Sequence, residues 1–424
     1  MKKALIITYY WPPAGGPGVQ RWLKFVKYLP DYGVDPIVYC PENPSYPIVD
    51  ESLLHEIPNT VQVLKQPINE PYRFAKVLSQ KKSKKISSGV IPKPHNQTWV
   101  QKLMLYVRGN FFIPDARKNW IKPSVAFLSE YLSQHQIDTL ITSGPPHSLH
   151  LIGLELKAKF GIKWLADFRD PWTTIGYHKQ LKLTNSSQEK HLQLERKVLQ
   201  SADHIIVTSD NTKKEFVLKT DSPITVITNG YDKVIQDQPA KDDQFTLSHI
   251  GSLLSERNPL KLWEAIAELI AEHPEFKDKF ELKLIGITSE AVLESLHHLG
   301  LSDYVKNIGY VSHKEAVIAQ MTSRVLLMVE IDSEDTKVII PGKFFEYMAS
   351  GTPILAVGPK DTDVERILRN TNTGGYYYYD QKQQMKSQIL LYFEAYKTNS
   401  LFVNARNLDQ FTRKSLTAEL AKLV

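Results

Sequence analysis

Thirteen short apolar runs, each followed by a stretch long enough for a helix, constrain this chain more than any other feature. In the first half they are Ala4–Thr8, Pro36–Tyr39, Val61–Leu64, Thr139–Thr142, Lys163–Ala166, Ile205–Thr208 and Ile224–Ile227. In the second half they are Phe245–Ile250, Glu281–Ile285, Val305–Ile308, Val325–Val329, Ile354–Val357 and Tyr376–Tyr379. Runs this short and rich in Ile, Val and Leu suit strands covered on both faces of a parallel sheet. The intervening segments carry helical spacing, as in Val19, Trp22, Leu23, Val26 and Leu29, or Leu260, Trp263, Ala267 and Ile270. Alternation of this kind predicts an α/β chain of βα units in doubly wound, Rossmann-like sheets.

Residues 231–244 are polar and lack a hydrophobic period, so a domain boundary is expected there. The expected organisation is an N-terminal domain over 1–235, a C-terminal domain over 236–405, and a last helix within 406–424 that returns toward the first domain. Paired domains of this type place ligands at the carboxyl ends of their strands, in a cleft where the two face each other.

Composition narrows the function classes. With 42% hydrophobic and 23% charged residues the chain can build a core, which excludes disorder or a fibre as its main state. A lone cysteine, Cys40, excludes an intramolecular disulfide framework and a Cys-rich zinc site, and suits a reducing, cytoplasmic setting. No apolar run approaches the roughly 18 to 20 residues of a membrane span. The stretch Ala4 to Tyr9, closed by Trp11-Pro12-Pro13, reads as a buried first strand rather than a signal core.

Net charge is +6, but residues 72–122 hold twelve Lys/Arg against the single acid Asp115, leaving the remainder acidic. This basic insertion includes Lys81, Lys82, Lys84 and Lys85, interleaved downstream with Trp99, Leu103, Tyr106 and Phe111. Such a segment is attracted to an anionic lipid leaflet. A solvated Lys-rich loop is the plain alternative. Nucleic acid is disfavoured because no nucleic-acid motif accompanies the charge.

Four loops could carry chemistry. Gly15 and Gly16 lie between the first strand and the first helix, where amides and a helix start favour an anion. Gly251 allows close backbone approach after a strand, and Arg257 lies six residues on, just before Pro259. Arginine there can hold a diphosphate by two-point contacts; pairing with Glu256 is the alternative. Gly342 opens a helix that Gly351 closes, and Lys343 and Glu346, three apart, are expected to point the same way. The cation suits a phosphate, and the carboxylate suits the two hydroxyls of a ribose. In the fourth, His147 could bond a hydroxyl or move a proton, or simply pack at a helix start. Asp167, Arg169 and Asp170 read equally as an ion-pair network or as substrate contacts. Asp361-Thr362-Asp363 has the spacing of a metal motif but reads better as a helix start, so no metal site is assigned.

These loops, with Thr228-Asn229-Gly230-Tyr231-Asp232 and Glu346-Tyr347-Met348-Ala349-Ser350-Gly351-Thr352-Pro353, make the chain resemble a GT-B glycosyltransferase, similar to the retaining family-four (group 1) enzymes of bacterial surface-polysaccharide synthesis. The resemblance implies donor contacts at Gly15, Gly16, Gly251, Arg257, Tyr310, Val311, Gly342, Lys343 and Glu346. Arg257, Lys343 and His147 would serve catalysis, and Asp167, Arg169 and Asp170 would stand on the acceptor side. Glu346 matches the second glutamate of the family's E-x7-E motif. The first falls at Val338, a departure that leaves Glu330, Glu334 or Asp335 as possible stand-ins. The implied reaction moves a sugar, with retention and without metal or cofactor, from a nucleotide diphosphate sugar to a lipid-linked or surface glycan. The implied location is cytoplasmic, peripheral on the inner membrane face. A nucleotide-sugar epimerase and a non-catalytic sugar-nucleotide-binding assembly partner share the architecture. A nicotinamide dehydrogenase is disfavoured by the glycine spacing.

Overall fold

The computed structural model describes residues 1–70, 99–232 and 239–424. Lys81, Lys82, Lys84 and Lys85 lie outside the described residues. The chain divides into two units, Met1–Asn229 with Arg413–Val424, and Gly230–Thr412.

The first unit is built on a parallel sheet of seven strands: β1 (Lys2–Thr8), β2 (Val34–Pro41), β3 (Gln62–Gln66), β4 (Thr139–Gly144), β5 (Lys163–Phe168), β6 (His204–Val207) and β7 (Ile224–Val226). Their order is β3-β2-β1-β4-β5-β6-β7, so the winding reverses between β1 and β4. The two-residue period of a strand explains why every apolar residue here is used. Leu5 and Ile7 of β1 join one cluster with Tyr39, Trp164 and Phe168, while Ala4 and Ile6 join another with Val38, Leu165 and Ile206. The helix Pro17–Tyr28 covers the second face through Val19, Trp22, Leu23 and Val26. The helix Arg413–Leu423 packs on the same face through Leu416 and Leu420. The end of the chain thus belongs to the first unit.

The second unit carries six parallel strands: β8 (Phe245–Ile250), β9 (Phe280–Ile285), β10 (Val305–Gly309), β11 (Val325–Val329), β12 (Ile354–Gly358) and β13 (Gly374–Tyr378). They are ordered β10-β9-β8-β11-β12-β13, with the reversal between β8 and β11. Val325, Leu327 and Val329 of β11 point into one core cluster, and Leu326 and Met328 into the other. The helix Gly342–Ala349 buries Phe344, Phe345, Tyr347 and Met348 against the latter, and Gly351 ends it at φ +69°. In both units the reversal leaves a crevice at the carboxyl ends of the central strands, the position where this architecture takes ligands.

Candidate functional site

In the second unit the crevice is built from the ends of β8 and β11 and the start of the Gly342–Ala349 helix. Tyr347 ties helix to strand: its hydroxyl accepts from the Ile250 amide at 2.9 Å and donates to the Ile250 carbonyl at 3.1 Å. That docking sets Lys343 over the end of β8. Its ammonium donates to the Ile250 carbonyl at 2.9 Å and lies 3.2 Å from Nε2 of His249. Nδ1 of His249 is 3.1 Å from the Leu327 carbonyl, which only accepts, so Nδ1 carries the proton and Nε2 presents its lone pair to Lys343. Gly251, at φ +119°, leaves the room; a Cβ there would stand 3.2 Å from the Lys343 nitrogen.

Arg257 lies in the short turn Ser255–Arg257 and donates to the Ser252 carbonyl at 3.3 Å, while its Nε is buried without a partner. Burial lowers the pKa of Arg257 and brings that of Lys343 down to about 7, the neighbouring Arg257 charge adding to the effect on Lys343. Two cations are therefore held close at one strand end, bonded to carbonyls and a neutral imidazole.

Glu330 follows β11 and is 5% exposed. Its Oε2 accepts from the Tyr376 hydroxyl at 2.7 Å and from Thr362 at 3.2 Å, and Tyr379 donates to its backbone carbonyl at 2.7 Å. Burial pushes its carboxyl up to about 7, partly offset by those hydroxyls and by Arg257. The tyrosine run, a strand run in the sequence, also holds this acid.

Lys343 and Glu346 do not point the same way. The lysine bends back over β8, whereas Glu346 faces the helix His313–Thr322, 3.2 Å from His313 Nε2 and from Gln320 Nε2. One helical turn aligns two side chains only while both run straight out, and the buried end of β8 captures the longer one. Tyr310 and Val311 follow β10; Tyr310 is 87% exposed and Val311 packs partly on the core. Asp361 and Asp363 serve a helix start: Thr362 caps the Asp363–Thr371 helix and Asp363 pairs with Arg366 at 2.8 Å. Among the described residues no group of three His, Cys, Asp or Glu is placed to hold a metal ion.

The other predicted residues lie in the first unit. Gly16 caps the Pro17–Tyr28 helix at φ +103°, and the Gly15 amide donates to the Ile48 carbonyl at 3.0 Å. The Arg169 guanidinium lies so close to Gly18 that any side chain there would overlap it, and it donates to the Pro145 carbonyl. Asp167 is fully buried, paired with Arg21 at 2.8 Å and bonded by Trp22 at 2.9 Å and Ser143 at 2.8 Å. Of the two readings open for it, the geometry is that of an internal ion pair. Burial raises the carboxyl of Asp170.

His147 stacks flat on Trp172, with ring centres 4.9 Å apart, and neither ring nitrogen has a partner. Burial and the neighbouring histidines hold its pKa well below the ordinary value, so the ring is neutral. It lines a cavity of about 210 Å³ shared with Tyr10, Arg108, Asp115, His178 and His191. The sequence offers no role for His249, His313 and Gln320 and gives Glu330 as one of three stand-ins; they reach the site from distant strands and helices.

Residues 89–233 match the family model of Glycosyltransferase Family 4, and residues 244–393 that of Glycosyl transferases group 1. No curated protein matches the chain. Among solved structures it is similar to the lipopolysaccharide outer core galactosyltransferase WaaB (13% identity, TM-score 0.57, covering 100% of this chain and 99% of that one). Anabaena HepE in complex with UDP-glucose is similar at 14% identity and TM-score 0.53, over 100% and 95% of the two chains. A putative UDP-N-acetylglucosamine 2-epimerase from Listeria monocytogenes is similar at 13% and 0.54, over 99% and 94%. At such identities these three likenesses speak to the fold.

Proposed function

The chain belongs to the GT-B group 1 glycosyltransferases, and from that premise we propose that it moves a sugar from a nucleotide diphosphate sugar to a hydroxyl of a lipid-linked or surface-polysaccharide glycan, with retention and without a metal ion. The observation that carries the donor half is the pair of Lys343, held over Gly251 with carbonyl and imidazole partners, and Arg257 beside it on the Ser252 carbonyl. A diphosphate placed there meets two cations and the start of a helix. As the sugar–phosphate bond breaks, charge grows on the leaving diphosphate, and donors already fixed in place stabilise that charge without reorganising. The desolvated ammonium of Lys343 gains its proton most favourably when the anion is present. Glu346, braced by His313 and Gln320, faces the ribose hydroxyls in this reading. Glu330 takes the acidic place that Val338 leaves empty, near Arg257.

In the first unit, the neutral His147 imidazole offers a donor and an acceptor to an acceptor hydroxyl inside its cavity. In the same reading Gly15, Gly16 and Arg169 supply polar contacts from the first unit. The proposed partners are a nucleotide sugar, a glycan acceptor and an anionic membrane surface met by the basic segment of Lys81, Lys82, Lys84 and Lys85; nucleic acid is not among them. The proposed location is the cytoplasm, at the inner membrane face.

The test is a thermal-shift screen of the full chain against UDP, GDP, ADP and dTDP sugars, followed by product analysis with the stabilising donor. Stabilisation lost in Arg257→Ala, with acceptor-dependent product, supports the reading. Product formed without any acceptor would move the assignment to an epimerase. Binding without turnover across an acceptor panel would favour a non-catalytic partner.

A further inference from the structure

Five histidines are buried among the described residues: His147, His150, His178, His191 and His249. The first four each keep a ring nitrogen without a partner, and His249 alone has both nitrogens bonded. An imidazole inside a strand covered on both faces costs desolvation that an apolar residue at the same place would not. What offsets that cost is to be sought in its two bonds.

The first bond ties two strands. β8 and β11 pair in register at Val325–Leu247 and Leu326–Ser248. Just beyond, the Ile250 amide is taken by the Tyr347 hydroxyl, and Nδ1–H of His249 donates across to the Leu327 carbonyl at 3.1 Å. That bond alone would make His249 a structural residue. The second reaches the donor site. With its proton on Nδ1, the ring offers Nε2 as an acceptor 3.2 Å from Lys343 Nζ. Burial and the charges of Lys343 and Arg257 keep the ring neutral, so the lone pair stays available.

Lys343 needs such a partner. It is the second residue of the Gly342–Ala349 helix, whose start repels a cation. Its four-carbon stem is free to take many rotamers in solvent. A buried lysine is ordinarily paired with a carboxylate. Among the described residues Lys343 bonds instead to two neutral acceptors, His249 and the Ile250 carbonyl, and the carbonyl also accepts from Tyr347. These hold two of the three ammonium protons and leave the third for a ligand. A carboxylate in place of the imidazole would hold the lysine as firmly, but it would cancel the charge that a diphosphate requires.

We propose that His249 is a positioning residue for the donor diphosphate: it fixes the Lys343 ammonium over the end of β8 while leaving its charge uncancelled. The inference rests on the reading that Lys343 meets the diphosphate, and His249 acts through Lys343 alone.

The test separates the two bonds. His249→Asn sets an amide nitrogen near the place of Nδ1, so it keeps the Leu327 bond and cannot reach Lys343. His249→Gln sets an amide oxygen near the place of Nε2, so it keeps the lysine and releases Leu327. UDP, GDP, ADP and dTDP are titrated calorimetrically onto the full-length wild type, both variants, Lys343→Met and His249→Asn/Lys343→Met. For a nucleotide that binds, His249→Asn should weaken affinity about five- to ten-fold with a melting temperature close to that of the wild type. His249→Gln should recover most of the affinity while melting lower. In the Lys343→Met background His249→Asn should cost no further affinity, because the group it positions is gone. An Asn variant that binds like wild type overturns the proposal. So does a loss that persists in the Lys343→Met background, since His249 would then act on the fold or on Arg257. If the Asn variant does not fold, the Gln variant decides: affinity near wild type supports the proposal, and a loss equal to that of Lys343→Met overturns it. A Lys343→Met protein that binds like wild type, or a wild type that binds none of the four, refutes the donor reading itself and this inference with it.

Discussion

Replacing Lys343 by Met should stabilise the protein while removing its affinity for a nucleotide diphosphate. The ammonium is brought down to about 7 by burial and by Arg257, against an ordinary lysine value of 10.5. Between those two values the unfolded chain binds a proton that the folded chain gives up, so wild-type stability rises with pH across roughly 7 to 10.5. Below about 7 both states are charged and the penalty is at its full, constant value. A shift of this size corresponds to about 5 kcal/mol at the limit and, allowing for partial solvent access, to about 2–4 kcal/mol. Met keeps the stem and drops the charge. For a domain of this size the gain raises the melting temperature by roughly 5–10 °C near neutral pH. The assay is differential scanning calorimetry of both proteins from pH 6 to pH 10, following the transition of the second unit. The gap should be largest at the acid end and close toward pH 10. A variant that melts at or below wild type at pH 7, or a gap that does not change with pH, would refute the electrostatic reasoning. Adding the stabilising nucleotide sugar should raise the melting temperature of the wild type alone.

Arg257→Ala should lower turnover about 10²- to 10³-fold with an unchanged far-UV circular dichroism spectrum and a melting temperature within a few degrees. Asp167→Asn leaves Arg21 buried with its partner's charge gone, and should cost about 3–5 kcal/mol in urea unfolding monitored by tryptophan fluorescence. Glu330→Gln keeps the Tyr376 and Thr362 hydroxyls bonded. Because the carboxyl sits near 7, above its ordinary 4.5, the folded wild type holds a proton that the unfolded chain loses over that window. Wild-type stability should therefore fall between pH 4.5 and 7 relative to the Gln variant, as read by parallel melting curves.

The two sheets were legible because their strands are covered on both faces. An apolar run such as Val325–Val329 has no solvent side to blur it, and each of the thirteen runs is a strand displaced by no more than a couple of residues. The two-residue displacement at the start of β13 falls on Gly374 and Gly375, which carry no apolar signal. Gly251, Arg257 and Lys343 could be picked out because glycine and a cation beside a strand end form a local pattern. His249 and Glu330 could not be assigned in the same way. Their partners stand 94 and 46 residues away, and only the strand order β8-β11-β12-β13 brings them together. The Asp167 pair with Arg21 spans 146 residues for the same reason.

Isothermal titration of UDP and GDP, in EDTA, onto the wild type, Arg257→Ala and Lys343→Met reaches the central claim most directly: that two desolvated cations beyond the end of β8 hold a pyrophosphate. At least one of the two nucleotides should bind the wild type and lose at least about ten-fold in affinity in each variant, about 1.4 kcal/mol. Equal binding by all three proteins, or binding that appears only when magnesium is restored, would contradict it.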